Sequence, residues 1–121
     1  MTYPKVNVGI VGCGNISSIY LEVGAKFDVL NIIALADLIP ERAQSQAAKY
    51  HIPRVCSTKE MLESQDIEMI LNITTPDAHF EVGQAALEAG KSVYNEKPLA
   101  ITRQDGQTML QTAKTKKLLV G

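Results

Sequence analysis

The apolar run Val6 to Val11 breaks directly into Gly12-Cys13-Gly14-Asn15-Ile16-Ser17, and an amphipathic segment follows at once. A strand that turns through glycines into a helix admits few architectures. The run is apolar apart from Asn7 and Gly9, which suits a strand covered on both faces of a parallel sheet. The glycines allow a sharp turn and the close approach of a pyrophosphate, whose charge would meet the free amides of the next helix. A tight strand-to-helix turn with no ligand satisfies the same residues, so the motif by itself leaves both readings open.

The rest of the chain repeats the pattern. Asn15 to Lys26 has Ile16, Ile19, Tyr20 and Val23 at helical spacing, Leu30 to Ala36 reads as a second strand, and Pro40 opens a helix to about Tyr50. Val55 and Cys56 mark a short third strand, after which Ser57 and Glu60 form a capping box. Glu68 to Ile73 is a fourth strand. Thr75-Pro76 caps and starts a helix that reaches Ala89 and stops at Gly90. Ser92 to Tyr94 is a fifth strand, Thr102 with Asp105 starts a helix to about Lys116, and Leu118 to Gly121 begins a sixth strand. Right-handed crossovers then predict one domain over residues 1–121: an α/β fold, a doubly wound parallel sheet of the Rossmann type with strand order 3-2-1-4-5-6.

Composition excludes several partners. The 121 residues carry 12 basic and 13 acidic side chains, a net charge of -1 with no basic block, so nucleic acid is not expected to bind. No stretch approaches the roughly 18 apolar residues of a membrane span. Cys13 and Cys56 match no zinc spacing, so no metal is expected; with no secretory leader expected either, a disulfide is not anticipated and a reducing cytoplasm is the default.

The chemistry gathers at the strand ends. Ser17 takes the third position of the glycine motif and is still small enough for close packing. Asp37 ends the second strand, where a carboxylate can accept both hydroxyls of an adenosine ribose; it could equally cap the helix near Pro40. A carboxylate there repels a 2'-phosphate, which favours NAD over NADP, while Arg42 could stack on adenine, accept a phosphate or stay solvated. Thr75 and His79 sit on the same sheet edge; Thr75 as an N-cap before Pro76 is a complete structural explanation, and a lone histidine in the first helical turn is more often structural than catalytic. Lys97 follows the fifth strand and can polarise or protonate a substrate oxygen while hydride moves; Glu96 can bind ribose hydroxyls or tune the ammonium. Both could also be a surface ion pair before the Pro98 turn. Cys13 lies near a helix N-terminus, which could lower its thiol pKa, and reads as a packing residue.

The stretches GIVGCGNIS, ALADLIPERA, TTPDAHFEVGQAALEAGKSVYNEKPLA and KKLLVG resemble the N-terminal half of the Gfo/Idh/MocA oxidoreductases, relatives of glucose-fructose oxidoreductase and inositol dehydrogenase. The likeness runs from about Val6 to Gly121. It implies that Gly12, Gly14, Asn15 and Ile16 hold the cofactor, that Asp37 binds the adenosine ribose, and that Thr75, Pro76 and His79 line the channel toward nicotinamide. It also implies that Glu96 contacts the nicotinamide ribose and that Lys97 is the catalytic lysine, itself beside the cofactor. Members of that family continue into a second, sheet-rich substrate domain that this chain does not contain. The expected function is therefore the nucleotide-binding domain of an NAD-dependent oxidoreductase acting on a sugar, cyclitol or polyol, inactive alone and homo-oligomeric. A non-catalytic dinucleotide-sensing module is the alternative, and a class I methyltransferase core shares the glycine turn and the acid after the second strand.

Overall fold

The computed structural model describes residues 4–121. Strands and helices alternate: β1 (Val6–Val11), α1 (Ser17–Gly24), β2 (Leu30–Ala36), α2 (Pro40–Tyr50), β3 (Arg54–Val55), α3 (Thr58–Glu63), β4 (Met69–Asn72), α4 (Pro76–Glu88), β5 (Ser92–Asn95) and α5 (Arg103–Lys116). Every strand pairing is parallel, in the order β3-β2-β1-β4-β5. The expected sixth strand is present only as a start: Val120 bridges Val93, and the Gly121 amide donates to the Val93 carbonyl at 2.9 Å.

Apolar side chains on both faces of the sheet hold the helices. Ile10, Leu35 and Leu71 point to one face with Leu21 of α1 and Ala43 and Ala47 of α2, while Ala34, Ala36 and Ile70 meet Met61 of α3 and Ala86 of α4 on the other. Truncating a fully buried residue such as Ile10 or Leu35 to alanine costs about 2–5 kcal/mol. α5 packs on α4 through Met109, Ala113 and Leu87. Local signals stop the helices where expected. Ser57 and Glu60 exchange both capping-box bonds, the Thr102 hydroxyl accepts from the Asp105 amide at 3.1 Å, and Gly90 adopts φ 85° just past α4.

One helix departs from its expected course. Asn15 and Ile16 belong to the turn, so α1 starts two residues later than its apolar spacing suggests, at Ser17. It packs on the sheet through Ser17, Leu21 and Gly24, where a Cβ on Gly24 would lie 2.8 Å from Ile32 Cδ1. Small residues let the helix sit close. Ile16, Ile19 and Val23 are consequently left exposed, Ile19 by 62%, and the last two line an apolar groove of about 460 Å³ with Met69, Leu71 and Tyr94 of β4 and β5.

The order of the strands decides where a ligand can enter. From β1 the chain winds outward through β2 and β3, then returns to β1's other side as β4, so the carboxyl ends of β1 and β4 diverge in a crevice.

Candidate functional site

That crevice starts at Gly12. Its φ of 104° and a Cβ that would stand 2.6 Å from the Ile73 carbonyl oxygen both demand glycine, because the end of β4 passes directly beside it. Gly14 is different. It has no left-handed φ, and a Cβ there would meet nothing within 4 Å. The protein itself does not require a glycine at this position; the open space over it fits a group from outside, such as a dinucleotide phosphate. Ser17 closes the turn from within, fully buried, accepting from Gln46 Nε2 at 2.8 Å and donating to the Gly14 carbonyl at 2.7 Å. No side chain caps α1; its Ser17 amide donates to the Gly14 carbonyl at 3.0 Å and its Ile19 amide to the Ile16 carbonyl at 3.2 Å.

Asp37 joins β2 to this turn. Its Oδ2 accepts the Cys13 amide at 2.6 Å and its Oδ1 the Ile39 amide at 2.8 Å, leaving a lone pair on each oxygen for a hydroxyl. Asp37 does not cap α2, whose N-cap is Ile39 with no side-chain bond; it braces the segment before that helix and lines the groove. A cavity of about 510 Å³ runs from Gly12, Gly14 and Asp37, past the exposed Leu38 and Arg42, to Thr74 and Thr75. Thr75 is the N-cap of α4 with Pro76 behind it, but its side chain makes no capping bond; its hydroxyl holds the Asp77 carboxyl below the usual range instead. Cys13 is buried, and desolvation followed by the charge of Asp37 pushes its thiol up to about 12, against the sequence argument for a reactive thiol. Both cysteines are free, and among the described residues no cluster of three or more His, Cys, Asp or Glu could hold a metal.

The loop after β5 folds back toward β4 and α1. The Glu96 amide donates to the Asn72 carbonyl at 3.0 Å, and the Tyr20 hydroxyl of α1 donates to Glu96 Oε2. Burial first, and the hydrogen bond to Glu96 second, push that phenol up to about 12, so Tyr20 stays a donor. Lys97 is exposed, and the Lys97–Pro98 peptide is cis. His79 departs from the expected channel lining. It is 1% exposed, absent from the groove wall, and its ring lies under the loop with Nδ1 2.6 Å from the Pro98 carbonyl oxygen.

Asn72 escaped sequence reasoning altogether, as did the pairing of Tyr20 with Glu96. Fully buried at the end of β4, Asn72 donates to the His79 carbonyl at 2.9 Å and to Asn95 Oδ1 at 2.8 Å, and accepts from the Thr74 hydroxyl at 2.7 Å. A polar residue inside the Ile70-Leu71-Asn72-Ile73 run was the available signal, because a doubly covered strand admits one only where its hydrogen bonds are met. No helix among the described residues is long and apolar enough to cross a membrane.

Residues 6–121 match the GFO/IDH/MocA family model, described as an oxidoreductase family with an NAD-binding Rossmann fold. Inositol 2-dehydrogenase of Salmonella typhimurium is 32% identical over 109 residues, covering 88% of this chain and 32% of that protein. The dTDP-3,4-didehydro-2,6-dideoxy-alpha-D-glucose 3-reductase of Saccharopolyspora spinosa is 32% identical over 117 residues, or 95% of this chain and 35% of the reductase. The crystal structure of KijD10, a 3-ketoreductase from Actinomadura kijaniata in complex with TDP-benzene and NADP, superposes with a TM-score of 0.90 at 26% identity, covering 96% of this chain and 37% of that one. The chain thus spans about a third of the length of the relatives it matches.

Proposed function

This chain belongs to the Gfo/Idh/MocA family of oxidoreductases, and from that premise we propose that it binds NAD along the crevice and serves the transfer of a hydride between the nicotinamide and a hydroxyl of a sugar, cyclitol or polyol. The observation that carries the reading is the empty space over Gly14, where the fold leaves room that its own packing does not use. The start of α1, which carries no side-chain cap, would hold the pyrophosphate and Asp37 the adenosine ribose. Thr75 and Pro76 would hold the nicotinamide half, with Glu96 and Lys97 on the loop after β5 next to it. The nicotinamide ring supplies the hydride acceptor. Lys97 takes up or returns the hydroxyl proton at Nζ, and Glu96, held by Tyr20, accepts from the nearby ribose.

NAD is the preferred cofactor in this reading. Asp37 is fixed by two amides, and its charge beside the ribose would repel a 2'-phosphate. Isothermal titration with NADH and NADPH tests the assignment: tighter binding of NADH supports it, and equal or tighter binding of NADPH would move the adenosine contacts to Arg42. The relatives act on inositols and nucleotide-linked sugars by their names, which supports a small polyhydroxylated substrate here.

A further inference from the structure

Among the described residues the Lys97 side chain has no hydrogen-bond or ion-pair partner, so its own contacts do not place its ammonium. The backbone on either side is held instead. The Glu96 amide rests on the Asn72 carbonyl at 3.0 Å, and the Pro98 carbonyl rests on His79 Nδ1 at 2.6 Å. A carbonyl can only accept, so Nδ1 is the donor, while Nε2 is buried with no partner. Leaving a ring nitrogen unpaired in the interior is unfavourable, and an aliphatic side chain would fill the space without that penalty. What the imidazole alone adds is the bond to Pro98.

We propose that His79 is a positioning residue for Lys97: clamped by Asn72 through its own carbonyl, it fixes the loop so that the lysine faces the end of the cofactor groove. The same helix carries Thr75 and Pro76 at its start, so cofactor seated there and lysine held by His79 share one rigid frame. The inference rests on the reading of Lys97 as the catalytic lysine.

The test uses this chain with its lysines reductively methylated with carbon-13, the Lys97 signal being assigned from a Lys97→Arg variant. In the wild type that signal is expected to move on saturation with NAD+ and not with ADP-ribose, which lacks nicotinamide. In His79→Leu the movement should fall by more than half while ADP-ribose affinity stays within twofold; His79→Asn, whose amide places a donor near the Nδ1 position, should restore it. A merely structural role would weaken both ligands together and leave the movement at saturation intact. Equal movement in the wild type and His79→Leu overturns the positioning role. A wild-type Lys97 signal that ignores bound NAD+ overturns the reading of Lys97 itself, and the role of His79 falls with it. If His79→Leu does not fold, long-range nitrogen spectra of the wild type decide: a proton on Nδ1 is expected, and a ring protonated at Nε2 with Nδ1 bare refutes the bond to Pro98.

Discussion

Replacing Gly12 and Gly14 by alanine, one at a time, should give opposite results. At Gly12 the new Cβ would stand 2.6 Å from the oxygen and 2.8 Å from the carbon of the Ile73 carbonyl and 3.0 Å from the Thr74 nitrogen, all of them backbone atoms that cannot swing aside. A φ of 104° adds strain of about 1–3 kcal/mol, and forced overpacking about 1–3 kcal/mol more. Against a total stability of about 5–15 kcal/mol, that is a fall in Tm on the order of 10 °C, or failure to fold. At Gly14 the Cβ enters open space at an ordinary φ, so Tm should hold or rise, because alanine lowers the entropy of the unfolded chain by about 0.4–1 kcal/mol. The same methyl group would occupy the room the proposed site gives the pyrophosphate, and NADH affinity should drop at least about tenfold, or about 1.4 kcal/mol. Thermal melts by circular dichroism, paired with titration calorimetry, read both quantities on the same samples. A Gly14→Ala chain that melts normally and binds NADH as tightly as the wild type would refute the cofactor site at this turn. One that loses more than about 1 kcal/mol of stability would refute the claim that the protein itself has no need of that glycine.

Three further outcomes are expected. Asp37→Ser should narrow the NADH over NADPH preference by removing the repelling charge, measured by titration with both cofactors; an unchanged ratio would take Asp37 out of ribose recognition. Lys97→Ala should leave NADH affinity within a few-fold and, in any version of the protein that turns substrate over, abolish turnover without a matching change in binding; retained turnover would return Lys97 to the surface lysines. Cys13, buried and with its thiol pushed up to about 12, carries almost no thiolate at neutral pH and should resist iodoacetamide until the chain unfolds; mass spectrometry showing Cys13 labelled in the native chain at pH 8 would contradict that burial.

What could be read from the sequence was local. Strands announced themselves as continuous apolar runs, and helix starts at Pro40, Ser57, Thr75 and Thr102 as short-range cap patterns, because each signal lies within a few residues of the feature it causes. Asp37 was legible for the same reason, by its place at a strand end. The hydroxyl of Tyr20 on Glu96 and the ring of His79 under Pro98 were not, since each joins positions that meet only after the sheet has formed. The face of α1 was misleading in a different way. Its apolar spacing is real, yet the helix approaches the sheet through small residues, and closeness of approach beat apolar area as the criterion for what faces inward.

The bonds from Asp37 to the Cys13 and Ile39 amides have a thermodynamic consequence. Asp37 and the start of the glycine turn are already tied together by these bonds, so a ribose in the proposed site would meet a receptor that need not rearrange. Association should then proceed as a single step with little loss of backbone entropy. Its heat capacity change should reflect only the surface covered by adenine and ribose, without the larger contribution that accompanies the folding of a loop around its ligand.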